Sequence, residues 1–242
     1  MCYNISAKTP AKELEKRFKA KVPDSEIVSP HFYLSGFSHP KTPVISSVRS
    51  NVIQRFHWGL IPSFCQTMKD AKDMMTKTLN AKSETVFSLP SFKNSIRQKR
   101  CMVLVDGFYE WRTIGKQKYP YYIHTKDNEP FAFGGIYNDW VNKETGEIIN
   151  TFSIITTESN PLMAKIHNVK LRMPLILPKE IEQDWLNPNL NDNQITELMK
   201  PIDENRLEAH TISKLITNRN DNPDKIEVQS PFEYPELAMF DA

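Results

Sequence analysis

The stretch Cys101–Trp111 reads CMVLVDGFYEW, a long apolar run that ends in aromatic residues. Apolar, β-branched and aromatic residues in short runs bounded by polar turns predict β-strands. Similar runs occur before and after it, at Val44–Val48, Val52–Leu60, Tyr119–His124, Phe131–Trp140 and Thr151–Thr157. Together they predict a β-rich α+β domain built on a curved central sheet, antiparallel or mixed, or on a barrel.

Short helices are predicted to flank this sheet. The first, Ala11–Ala20, follows Thr9-Pro10, which suits a helix start. The others are Ser91–Lys99, Lys179–Trp185 and Asp192–Lys200. A chain of 242 residues without an evident linker predicts one domain, 1–242, with a tail that is partly loose from about residue 218.

Composition excludes several functional classes. With 39% hydrophobic and 25% charged residues, the chain is typical of a globular protein. There is no P-loop or G-x-G-x-x-G, which argues against a nucleotide cofactor, and no apolar run long enough to span a membrane. Three cysteines without CxxC spacing, and histidines without HxxxH spacing, argue against zinc and a disulfide framework. We expect a cytoplasmic monomer without cofactors.

The net charge of the chain is only +2, which does not by itself indicate a nucleic-acid ligand. A local basic run between Thr85 and Val105, with Lys93, Arg97, Lys99 and Arg100 and no acid, is one candidate for binding phosphate. The alternative is ordinary solvated surface.

The dipeptide Met1-Cys2 offers reactive groups. Initiator methionine is usually trimmed before a small residue, which would leave Cys2 with a free α-amine (pKa ~7.7–8.0) beside its thiol (pKa ~8.5). Such a pair suits an aldehyde: the amine forms a Schiff base and the thiol closes a five-membered thiazolidine. The closure is intramolecular, where effective molarities of roughly 10⁵ M are possible.

Three further residues are candidates for chemistry. Asn80, in the polar string Leu79–Thr85, both donates and accepts hydrogen bonds, although a cap or turn would also explain it. Glu110 lies between two aromatic residues; burial would raise its pKa and allow proton transfer, whereas strict alternation would turn it outward. His167 could transfer a proton at physiological pH or serve a structural role.

The order and spacing of these segments resemble the SOS-response-associated peptidase (SRAP) family. The resemblance spans Cys2 to about Ser213. It rests on Met1-Cys2, Phe56-His57-Trp58-Gly59-Leu60-Ile61-Pro62, Asn80-Ala81-Lys82-Ser83-Glu84-Thr85, Asp106-Gly107-Phe108-Tyr109-Glu110-Trp111, His167 with Arg172-Met173-Pro174, and His210-Thr211-Ile212-Ser213.

The resemblance implies one SRAP domain that shields abasic sites in single-stranded DNA through a covalent thiazolidine link. It also implies self-processing of Met1, slow reversal of the crosslink, a role in the response to DNA damage and association with the nucleoid when bound to DNA. By position, Cys2 is the nucleophile and Asn80 orients the sugar. Glu110 is the acid/base, and His167 assists formation and reversal of the Schiff base.

For DNA contacts, the resemblance implies phosphate binding by Arg172 and an aromatic wedge at Phe64. Lys82, Lys170, Lys93 and Trp58 complete the predicted DNA-binding set. The sequence departs from the family pattern in four places. Tyr3 and Asn4 replace Gly-Arg, Lys82 replaces Arg, the segment between His167 and Arg172 is longer, and 35–40 replaces Asn-Val-Ala-Pro.

Two alternatives to this function remain open. One is an N-terminal-nucleophile amide hydrolase, which would need an oxyanion hole and a four-layered fold. The other is a protein that binds single-stranded DNA without a covalent step.

Overall fold

The structure is a computed structural model that describes residues 2–26, 28–218 and 221–237. Its strands are β1 (Asn4–Ala7), β2 (His31–Ser35), β3 (Lys41–Ser46), β4 (Arg49–Trp58), β5 (Asn80–Lys82), β6 (Arg100–Val105), β7 (Gly107–Ile114), β8 (Gln117–Thr125), β9 (Phe131–Val141), β10 (Ile148–Glu158), β11 (Arg172–Pro174), β12 (Ile176–Leu177) and β13 (Leu207–Thr211). Its α-helices are α1 (Ala11–Phe18), α2 (Met68–Met75), α3 (Lys93–Gln98), α4 (Pro161–Ile166), α5 (Glu182–Leu186) and α6 (Asp192–Leu198).

Five strands close into a barrel. The hydrogen-bonded order β10-β4-β3-β6-β9 returns to β10 because β9 and β10 also pair, as an antiparallel hairpin. Only the β10–β4 junction in this ring is parallel. The strands β5, β11 and β12 extend the sheet at its margins. Closure leaves the ring without free edges. Buried apolar side chains of its strands, such as Val103, Phe133 and Phe152, share a core cluster with residues of the second sheet, such as Ile5 and Phe108.

A second, five-stranded sheet lies beside the barrel in the order β13-β8-β7-β1-β2, with every pair antiparallel. The predicted α+β class, with a curved sheet or barrel and short helices, is confirmed. No helix in the described part of the chain is long and apolar enough to cross a membrane.

The predicted single run Cys101–Trp111 is divided at Asp106, and this corrects the sequence interpretation. Its first half is β6 in the barrel and its second half is β7 in the other sheet. The buried Asp106 carboxylate accepts hydrogen bonds from the backbone N–H groups of Lys8 and Thr9 and from the Thr9 hydroxyl. At Gly107 any larger side chain would overlap the Tyr122 ring. These contacts fix the corner at which the chain changes sheets.

The predicted helices are present, with shorter bounds. The first ends at Phe18 because Lys19 adopts a left-handed conformation with φ 52°. The second begins at Lys93, and the predicted 179–185 element is a 3-10 turn followed by α5. Helix α2 was not predicted, although its capping box, formed by Thr67 and Asp70, is a readable signal.

The segment 221–237, part of the tail predicted to be loose, packs against the second sheet. The Asp224 carboxylate accepts hydrogen bonds from the backbone N–H groups of Phe32 and Tyr33. The buried Gln229 side chain donates to the Ser6 and Tyr109 hydroxyls. Buried hydrogen bonds of this kind hold the segment behind β1 and β7.

Candidate active site

Cys2 lies two residues before the start of β1, which pairs with the strand that carries Glu110. Ile5 of β1 pairs with Phe108 of β7 in antiparallel register, so the residues before β1 lie alongside those that follow Phe108. Cys2 is fully buried, with its Sγ 3.8 Å from the Asn4 carbonyl oxygen. Burial raises the pKa of the thiol, and the nearby Glu110 carboxylate raises it further. The group is therefore a protonated thiol at neutral pH.

Asn80 holds the Cys2 backbone from the other side. It begins β5, which pairs in parallel with β10 at Ile154. Its amide Nδ2 donates to the Cys2 carbonyl oxygen at 2.8 Å. Its Oδ1 is buried and accepts no hydrogen bond from the residues that the structure describes. An acceptor is thus positioned beside the reactive residue.

Glu110 points inward, which decides between the two sequence interpretations. Its exposed fraction is 5%, and burial raises the pKa of its carboxyl to about 8. A carboxylic acid with this pKa is mostly protonated at neutral pH and both gives and takes a proton readily.

His167 ends α4 and faces Glu110. Its Nδ1 lies 2.8 Å from the Arg172 carbonyl oxygen, which only accepts, so Nδ1 carries the proton and Nε2 is the acceptor of the neutral ring. Nε2 lies 3.7 Å from Glu110 Oε2. Burial lowers the pKa of His167 to about 4, which keeps the ring neutral at physiological pH.

Two hollows open beside Tyr3, the residue that follows the buried Cys2. The glutamate hollow, of about 650 Å³, is lined by Tyr3, Asn4, Glu110, Trp111, His167 and Lys170, among others. The asparagine hollow, of about 350 Å³, is lined by Tyr3, Lys77, Asn80, Lys82, Leu89 and Phe92, among others. Tyr3 lines both hollows, so Cys2 is next in sequence to a residue that the two hollows share.

Two of the predicted DNA-binding cations line these hollows, whereas Arg172 lines neither. Lys170 lines the glutamate hollow and Lys82 the asparagine hollow. Arg172 is already engaged: its guanidinium pairs with the Glu84 carboxylate and donates to the Thr156 carbonyl oxygen at 2.6 Å. Phosphate binding by Arg172 would therefore compete with Glu84.

The other predicted DNA-binding residues are placed differently. Phe64 is 51% exposed but lines neither hollow, and Lys93 is exposed at the start of α3, next to Phe92. Trp58 is fully buried, and its indole Nε1 donates to the Leu79 carbonyl oxygen at 2.8 Å. Direct contact of Trp58 with DNA is therefore wrong for this structure; the ring supports the residue before Asn80 instead.

Three of the four cations in the basic run 85–105 have partners within the protein, and one of them, Arg100, is buried rather than solvated. Arg97 pairs with Asp192, and Lys99 pairs with Asp139. Arg100 is buried and donates to the carbonyl oxygens of four residues near the ends of α3 and α5: Ile96, Arg97, Trp185 and Asn187. Of the four cations, Lys93 alone has no ion pair or carbonyl partner among the described residues.

The site brings together four side chains of different chemistry. No group of three His, Cys, Asp or Glu side chains within 2–26, 28–218 and 221–237 is arranged to hold a metal ion. The Cys2, Asn80, Glu110 and His167 side chains instead supply a thiol, an amide, a carboxylic acid and a neutral imidazole. Such a set binds, protonates and deprotonates a carbonyl compound.

Comparison with known proteins accounts for this arrangement. The family model described as SOS response associated peptidase (SRAP) matches residues 1–219. The chain belongs to the SRAP family. The matched region contains the four site residues Cys2, Asn80, Glu110 and His167. The segment 221–237 of this SRAP protein, which packs against the second sheet, lies beyond it.

Similar relatives carry a functional name. The abasic site processing protein YoqW of Bacillus subtilis is 38% identical over 187 residues, which cover 76% of this SRAP chain and 80% of YoqW. The abasic site processing protein HMCES of Gallus gallus is 31% identical over 195 residues, covering 72% of this chain and 56% of HMCES. A crystal structure of a Bacteroides thetaiotaomicron protein, 37% identical, has a TM-score of 0.90 and covers 96% of this chain and 100% of that one.

Proposed function

We propose that this protein, after removal of Met1, captures an abasic site in single-stranded DNA as a thiazolidine through the α-amine and thiol of Cys2. The observation that carries the proposal is the buried group around Cys2: a carboxylic acid, a neutral imidazole and an amide oxygen without a hydrogen-bond partner among the described residues, next to Tyr3, which lines both hollows. The names of the relatives point to the same substrate.

The proposed reaction conserves atoms and protons. The Cys2 α-amine adds to the aldehyde carbon of the ring-opened sugar and gives a carbinolamine. Glu110, protonated because burial raises its pKa to about 8, donates a proton to the departing hydroxyl, and water and an iminium ion result. The Glu110 carboxylate then removes the thiol proton, and sulfur adds to the iminium carbon. One water is released and Glu110 ends protonated, as it began.

Asn80 and His167 have supporting roles in this proposal. Asn80 Nδ2 holds the Cys2 carbonyl, and its buried Oδ1 is a free acceptor for a sugar hydroxyl or for the amine. His167 Nε2, at 3.7 Å from the Glu110 carboxyl, is an acceptor for protons released during formation and reversal of the Schiff base. Reversal follows the same steps backwards. We include self-removal of Met1 in the proposal.

For the strand, we propose a path through both hollows. Lys170 and Lys82 lie at its two ends and would neutralise phosphates; Lys93, Arg172 and Phe64 lie further out. Such contacts are independent of sequence and weaken with salt. The protein would then shield an abasic site in any sequence context.

The test uses the Met1-free protein, identified by intact mass, and a uracil-excised single-stranded oligonucleotide. A heat-stable adduct on a denaturing gel is expected for the wild type and for Cys65→Ala, which removes another buried thiol outside the site. Cys2→Ala should form none. An equal yield of adduct from Cys2→Ala would refute the proposal. Equal, salt-reversible binding of intact and abasic strands without adduct would support the non-covalent alternative.

A further inference from the structure

The Tyr3 ring forms an aromatic pair at the edge of the site. It follows the nucleophile directly in sequence, lines both hollows and lies 4.9 Å from the Phe37 ring, centroid to centroid, at 34°. Phe37 is 56% exposed, so its ring is accessible to a ligand.

Backbone contacts hold this pair in place. The Gly36 N–H donates to the Tyr3 carbonyl oxygen at 2.8 Å, which ties the turn 36–38 to the residue after Cys2. Gly36 is seated on the buried Trp58 ring, which a Cβ at this position would meet at 3.1 Å. The pair is therefore positioned before any ligand arrives, so little conformational entropy is lost on binding.

The two rings suit a base that has lost its stacking neighbour. Where a base is lost, the neighbouring base has one face without a stacking partner. Aromatic side chains stack on any base, because every base has a π-face, and the interaction does not depend on sequence. The two hollows also carry cations that suit phosphate, such as Lys77, Lys82 and Lys170, and two further aromatic residues, Trp111 and Phe92.

We propose that Tyr3 and Phe37 form a stacking platform for the base adjacent to the abasic sugar. This rests on the proposed function, since it places that sugar at Cys2. The platform selects strands in which the neighbouring nucleotide keeps its base, and it keeps the backbone from sliding past the nucleophile.

The test is a double-mutant cycle on the non-covalent complex. The ligands are single-stranded oligonucleotides with one tetrahydrofuran abasic analogue, which has no aldehyde. In matched ligands the base on its 5′ side, or on its 3′ side, is also removed. The proteins are the wild type, Tyr3→Phe, Tyr3→Leu and Phe37→Ala, each checked by mass for the same N-terminus. The control is Phe232→Ala, which removes another exposed ring from a close aromatic pair away from both hollows.

On one side of the abasic analogue, removal of the neighbouring base should weaken binding roughly 5- to 150-fold for the wild type, Tyr3→Phe and Phe232→Ala. The same change should cost Tyr3→Leu and Phe37→Ala several-fold less than it costs the wild type, because each variant has lost one of the two rings of the platform. An equal loss in all proteins, or no loss on either side in the wild type, would overturn the platform. Failure of the covalent function would appear separately, as absence of adduct with a true abasic strand.

Discussion

Replacement of Glu110 by Gln should remove most of the pH dependence of stability above neutrality. Glu110 is 5% exposed, and burial raises the pKa of its carboxyl from 4.5 to about 8. Between these values the unfolded chain has released the proton while the folded chain keeps it. Stability is therefore greatest at low pH and falls as pH rises, by about 1.36 kcal/mol per pH unit, until the folded carboxyl also ionises near pH 8.

His167 acts in the opposite direction over a lower range. Burial lowers its pKa from 6.5 to about 4, so the unfolded chain binds the extra proton and stability rises with pH up to about 6.5. The two effects oppose each other below pH 6.5 and only that of Glu110 remains above it. Between pH 6.5 and pH 8, Glu110 should lower the free energy of unfolding of the wild type by roughly 2 kcal/mol. The Glu110→Gln variant has no ionisable group at this position and should not show this decrease.

Urea unfolding of both proteins at pH 6.5 and pH 8 measures this difference. Relative to the wild type, Glu110→Gln should gain roughly 2 kcal/mol between the two pH values, or about 4–8 °C in melting temperature for a chain of this size. Glu147→Gln removes the same charge from an exposed site and is the matched control. A constant difference between Glu110→Gln and wild type, or an equal gain in Glu147→Gln, would refute the reasoning.

Three further predictions follow from individual contacts. Arg100→Lys should lower the free energy of unfolding by about 2–4 kcal/mol in urea titrations, because an ammonium group cannot donate to four carbonyl oxygens from one buried position. The adduct yield per folded molecule should stay unchanged, and an unaltered unfolding midpoint would contradict this prediction. Gln229→Leu should slow crosslinking, because the Gln229 amide donates hydrogen bonds to Ser6 of β1 and Tyr109 of β7. Gln66→Leu, at an exposed position, is the control, and equal crosslinking rates for the two variants would argue that Gln229 does not position the site. Lys82→Ala and Lys170→Ala should each reduce the slope of log K against log salt by about 0.7, and an unchanged slope would remove that lysine from the DNA path.

The barrel strands were predictable because their side chains are apolar, β-branched and aromatic in short runs. Val44–Val48 and Val52–Leu60 correspond to β3 and β4, and Thr151–Thr157 lies within β10. Closure of the ring was not predictable, because the parallel β4–β10 junction joins strands about a hundred residues apart in the chain. Such pairings depend on tertiary packing rather than on local pattern.

The position of Glu110 in the site depends on the break between β6 and β7 at Asp106. The pattern CMVLVDGFYEW suits one long strand, in which Glu110 faces outward or inward with equal ease. The three hydrogen bonds to the Asp106 carboxylate break the run and send β7 into the other sheet. They come from Lys8 and Thr9, far away in sequence, so no reading of the run itself could reveal that Glu110 is buried beside Cys2.

In the proposed reaction, the raised pKa of the Cys2 thiol gives a reason for the amine to react before the thiol. Burial and the Glu110 carboxylate keep the thiol protonated, and a neutral thiol is a poor nucleophile. A free α-amine with an ordinary pKa near ~8 is neutral in a sizeable fraction of molecules at physiological pH. Attack by sulfur on the aldehyde would give a reversible hemithioacetal that occupies the carbon. Since Glu110 becomes a base only after it has protonated the departing hydroxyl, the thiol is activated when the iminium ion is present to receive it.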